Sequence, residues 1–62
     1  MLITLTEARK DTALAINVGL ISAIDIMPNH TALYMNGMQD YFPVRETPEQ
    51  IMEMIENAHH AN

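Results

Sequence analysis

Apolar and polar residues alternate with a period of two through most of the chain and switch to a period near 3.6 at its C-terminal end. Leu2-Ile3-Thr4-Leu5-Thr6 sets Ile3 and Leu5 against Leu2, Thr4 and Thr6 and predicts a first strand. The polar run from Glu7 to Asp11 predicts a turn, and Thr12 to Ile16 a second strand with Leu14 and Ile16 facing inward. Asn17-Val18-Gly19-Leu20-Ile21 breaks the alternation. An Asn side chain accepts hydrogen bonds from N–H groups two or three residues on, so Asn17 should cap a single helical turn. Ser22 to Met27 resumes the strand pattern, with Ser22, Ile24 and Ile26 on one face, until Pro28-Asn29-His30 stops it.

Thr31 to Met35 and Met38 to Phe42 flank Asn36-Gly37, a dipeptide suited to the two positive φ angles of a type I′ hairpin turn. That turn would pair Met35 with Met38, Tyr34 with Gln39 and Leu33 with Asp40. Pro43 has no N–H for a ladder, so the outgoing strand should be an edge there or carry a bulge. Glu46-Thr47-Pro48-Glu49-Gln50 marks a helix start. Thr47 is the N-cap, Pro48 the first helical residue, Glu49 lies in the positive end of the dipole and Gln50 closes a capping box. The helix should run from Pro48 to His59, with Ile51, Met54, Ile55 and Ala58 on one face and Glu49, Glu53 and Glu56 opposite. The fold class is therefore α+β. One domain over residues 1–62 should form a small antiparallel meander of four to five short strands, followed by one C-terminal helix covering one face.

Composition narrows what such a domain can do. Sixty-two residues, 48% hydrophobic and 18% charged, suit a packed unit rather than a disordered one, with little room for a catalytic cleft. No cysteine is present, which removes thiolate catalysis, disulfides and Cys-ligated zinc. Three basic residues against eight acidic give a net charge of −5, the wrong sign for direct nucleic-acid binding. No apolar run approaches the length of a membrane span and no leader pattern opens the chain, so a cytoplasmic protein without membrane contact is expected.

Reactive constellations are sparse. Glu56 and His59 have the i, i+3 spacing of a helical metal pair, but two ligands do not make a site, and both histidines at the helix end suit the negative pole of the dipole. Ser22 lies in no nucleophile elbow, and Gly19 and Gly37 form no phosphate loop. No catalytic residue, metal or cofactor site is expected. Six methionines in so short a chain are the more suggestive feature, because Met adapts to irregular and exchangeable surfaces. Met54 and Met27 suit the core. Met35, Met38 and Met52 are candidates for an interaction surface, together with the acidic ridge of Glu49, Glu53 and Glu56. Asn17, Asn36, Gly37, Thr47 and Pro48 are candidates for structural roles.

With these elements placed, the chain resembles the small flagellar FlbD-type family and similar short phage-encoded proteins. The resemblance rests on Leu2-Ile3-Thr4-Leu5-Thr6, on Ile16-Asn17-x-x-x-Ile21-x-x-Ile24, and on Val44-Arg45-Glu46-Thr47-Pro48-Glu49-Gln50-Ile51 following the Asn36-Gly37 turn. The interval from Gly37 to Val44 is longer than in the family pattern, and Met38, Gln39 and Asp40 stand where basic residues are expected. The resemblance implies a non-enzymatic cytoplasmic protein, with no catalytic residues to carry over.

The expected function is a small non-enzymatic protein-interaction module, phage or bacterial, acting on a host protein or on itself. The alternative is an acidic nucleic-acid mimic that inhibits a DNA- or RNA-binding enzyme through Glu49, Glu53 and Glu56. Self-association, with a dimer favoured, is expected because one helix covers only one face of a sheet. That leaves Leu2, Ala13, Ala15, Ala23, Met27, Tyr34 and Tyr41 partly bare, with the second sheet face, the exposed edge at Pro43 or the Met52 shoulder as the expected contact.

Overall fold

The computed structural model describes residues 1–60. Strands β1 (Leu2–Thr6) and β2 (Ala13–Asn17) form an antiparallel pair in which Ile3 faces Ile16 and Leu5 faces Leu14. A 3-10 turn over Val18–Leu20 follows, with the Asn17 side chain accepting the Gly19 N–H at 3.1 Å, as the sequence predicts. Strands β3 (Ile21–Ile26), β4 (Thr31–Met35) and β5 (Tyr41–Val44) form a second antiparallel sheet with β4 in the centre. Helix α1 (Pro48–His60) packs on β1 and β3. The α+β class and the order of elements are those expected, but the strands form two sheets rather than one. The capped 3-10 turn redirects the chain, so that β2 and β3 do not pair.

The two sheets meet at one corner. Glu7 forms an isolated antiparallel bridge with Val44, flanked by bonds from the Ala8 N–H to the Pro43 carbonyl at 2.7 Å and from the Arg45 N–H to the Thr6 carbonyl at 3.0 Å. β5 is an edge strand of its sheet, as Pro43 requires, but the corner buries Pro43 instead of leaving it exposed. Its carbonyl is still a usable acceptor, and that is the group the corner employs. The Glu46 carboxylate reinforces the join by accepting from both the N–H and the hydroxyl of Thr6, each at 2.9 Å.

Seven apolar side chains fill the core: Ile3, Leu5 and Ile16 from the first sheet, Leu33, Met35 and Val44 from the second, and Ile51 from the helix. Met54, Ile55 and Ala58 pack around Ile51 at the predicted spacing. Ile26 departs from the expected inward face and is 77% exposed. A bulge at Ser22 brings Ile21 round to share the core face with Ile24, and Ile26 falls at the last pair of the ladder, opposite Thr31.

The central hairpin is also set differently from the expected two-residue turn. Leu33 faces Phe42 and Tyr34 faces Tyr41, which leaves Asn36 to Asp40 as a wide loop. Within the turn Gly37 alone has positive φ, at 84°, and the Met38 N–H bonds the Met35 carbonyl at 3.3 Å, so the turn is of type II rather than I′. The physical reason lies in what faces Leu33, which is fully buried. The tighter register would put the Asp40 carboxylate opposite it. Sliding the outgoing strand by two residues supplies Phe42 instead and preserves which side chains face inward. Asp40 then closes the loop by accepting the Tyr41 N–H at 2.9 Å.

The helix start is as the sequence predicts. The Gln50 N–H donates to Thr47 Oγ1 at 3.1 Å, and the Thr47 N–H donates to Gln50 Oε1 at 2.9 Å. Thr47→Ala is expected to cost about 0.5–2 kcal/mol. Thermal melts would show this as a lowered Tm, and a Tm equal to that of the parent would mean that the cap contributes nothing in solution.

Candidate interaction surfaces

Met35 is not available to a partner. It is 9% exposed and faces Ile21 within the core, because the wide loop makes it the last residue of a central strand instead of the rim of a tight turn. Met38 is 46% exposed at the hairpin tip, and Met52 is 59% exposed on the helix shoulder beside the apolar face. Glu49, Glu53 and Glu56 are exposed on the side of the helix away from the core. Glu56 lies 3.8 Å from His60, one turn on, and His59 packs edge-on against the His60 ring. Among the described residues, no three His, Asp or Glu side chains gather in a way that could hold a metal ion.

Sequence patterning missed two further apolar residues at the surface. Met1 is 52% and Leu20 46% exposed. The Val18 N–H bonds the Met1 carbonyl, and the Asn36 N–H bonds the Leu20 carbonyl, so the chain start, the 3-10 turn and the hairpin tip come together. Met1, Leu20 and Met38 thereby lie on three segments that these backbone bonds join. Leu20 follows a capped turn rather than a regular strand, so no two-residue period could reveal which way it points. The expected bare sheet face is in part covered by the chain itself. Tyr34 and Tyr41 are half-buried against each other with ring centres 5.5 Å apart, while Leu2, Ala13, Ala15 and Ala23 remain exposed.

Two polar features lie near the corner. The Glu7 carboxylate is buried and accepts the N–H groups of Arg9 and Lys10, capping the loop that joins β1 to β2. The Arg9 N–H is the main cause holding this carboxyl below its ordinary value. Burial opposes the shift, while the Lys10 N–H and the Arg9 and Lys10 charges assist it. Beside this loop is an open cavity of about 360 Å³ lined by Ala8, Arg9, Asn29, His30, Asp40, Tyr41 and Pro43. The His30 and Tyr41 rings stack there at 5.8 Å, and His30 Nε2 is buried without a hydrogen-bond partner. Arg9 lies 3.6 Å from Glu7, so the cationic side chain of the cavity is already turned toward a carboxylate.

No protein-family model, curated protein or solved structure matches the chain. No helix among the described residues is long and apolar enough to cross a membrane.

Proposed function

We propose that the chain is a small non-enzymatic protein-interaction module whose partner surface is the apolar end built from Met1, Leu20 and Met38. The observation that carries this reading is that three large apolar residues, each about half exposed, lie on segments joined by backbone bonds where the 3-10 turn meets the hairpin tip. Scattered apolar residues are ordinary on a protein surface, but grouped ones mark a contact site. Two of the three are methionines, whose unbranched side chains repack readily against a partner. The resemblance to FlbD-type and short phage proteins supports the same non-enzymatic class.

A variant combining Leu20→Asp and Met38→Asp tests the proposal, since neither residue belongs to the core. Affinity capture from the cells that carry the gene should recover a specific protein with the parent chain and lose it with the variant, while circular dichroism remains the same for both. Equal capture by the two chains would reject this surface.

A further inference from the structure

Among the described residues, the outer edges of β2 and β3 have no hydrogen-bonded neighbour, while that of β1 is bonded to the corner at Thr6. The edge of β5 is closed by Glu7 and Ala8 at the corner. Exposed edges invite pairing with another chain, and proteins defend them with bulges, charges and prolines. The β3 edge carries such defences, with the bulge at Ser22, a carboxylate at Asp25 and Pro28 just beyond. The β2 edge carries none. No charged residue or proline occurs from Thr12 to Ile24, and β2 pairs with β1 without a shift in register.

The ladder fixes which groups are left over. At its two ends the Glu7 N–H bonds the Thr12 carbonyl and the Val18 N–H bonds the Met1 carbonyl. Bonded pairs alternate along an antiparallel ladder, so Leu14 and Ile16 also bond to β1, while the N–H and C=O groups of Ala13 and Ala15 and the N–H of Asn17 point to the open edge; the Asn17 carbonyl already takes the first bond of the 3-10 turn. From this we infer that β2 docks a second copy of the chain, antiparallel, about a two-fold axis through Ala15. Ala15 then faces its counterpart in the copy, and Ala13 faces Asn17 in both directions. The Ala15 pair exchanges two bonds, and the Ala13–Asn17 pairs on either side of it extend the ladder.

The occupant is a copy because Ala-Leu-Ala-Ile-Asn has the same pattern of sizes read in either direction. Leu14 comes opposite Ile16 on the inner face, extending the core across the axis, and only Ala13, Ala15 and Asn17 stand on the outer face. No charge lies in the seam, so the net −5 of each copy is not brought together there. A two-fold contact of this kind closes on itself and stops at a dimer. This inference stands apart from the partner surface at the hairpin tip, since Met1, Leu20 and Met38 lie outside the seam.

Amide hydrogen exchange on the parent chain, together with sedimentation equilibrium, tests it. The Ala13, Ala15 and Asn17 amides should exchange rapidly in dilute protein and become protected as concentration rises into the dimer range, whereas Leu14 and Ile16 should be protected throughout. Ala15→Lys sets two like charges face to face at the axis and should weaken association by ~10-fold or more. Met38→Asp, at the hairpin tip, should leave association unchanged. A chain that stays monomeric at high concentration, or a dimer in which Ala13, Ala15 and Asn17 still exchange rapidly, would overturn the inference. The exchange result on the parent stands even if the lysine variant fails to fold.

Discussion

Ile51→Ala should leave most of the chain unfolded at room temperature. Ile51 is fully buried and is the one buried residue of α1, joining the helix to side chains from both sheets. Truncating such a residue removes its transfer free energy and leaves a cavity, a loss of about 2–5 kcal/mol. A single core of this size supplies only about 3–5 kcal/mol in total. The loss is therefore comparable with the whole. Far-ultraviolet circular dichroism and thermal melts would show it, with Met52→Ala as the control, since the neighbouring Met52 is 59% exposed. A cooperative melt within a few degrees of the parent would sink the view that the helix is pinned by this one side chain.

Glu7→Gln should also destabilise the fold, and in a pH-dependent way. The Arg9 N–H, helped by Lys10 and by the charges of both residues, holds the folded-state carboxyl below the ordinary glutamate value of 4.5. A group with a lowered folded value binds fewer protons folded than unfolded, so stability rises with pH through that window. Its contribution is complete above pH 4.5 and is lost as pH falls through the lowered value. Melts of parent and variant between about pH 3 and 7 should converge at the acid end and separate at the neutral end. Parallel curves would show that the Glu7 charge does no work in the loop. A glutamine can still accept one N–H, so the neutral-pH difference reports the charge more than the hydrogen bond.

Where backbone chemistry is local, the sequence was a sufficient guide. The Asn17 cap, the Thr47–Gln50 box, the inward pairs Ile3/Leu5 and Leu14/Ile16, and the helix stripe all follow from spacing within one turn or one strand. The hairpin register was not readable in this way, because Asn36-Gly37 describes a turn that fits the dipeptide but not the demand for an apolar partner opposite Leu33. The corner left no local mark at all. Glu46 reads as part of a helix start and Glu7 as part of a polar turn, yet one ties β1 to the helix and the other is buried. The candidate surface was half legible. Met38 and Met52 are exposed as their spacing suggests, Met35 is drawn inside by the wider loop, and Met1 and Leu20 become surface residues only through the way three segments meet.

The corner also governs how the chain comes together. The hairpins and the helix cap close over short stretches, but the contact of Thr6 with Glu46 spans 40 residues. Closing a loop of that length costs about 3 kcal/mol of chain entropy before any contact there is made. The backbone from β2 to β5 is thus a tether whose remaining slack is gathered only when the corner forms. Cutting the chain at Gly19 would remove the tether while leaving every strand intact. The two pieces would then meet as separate molecules, and their dissociation constant would measure the corner and the shared core directly.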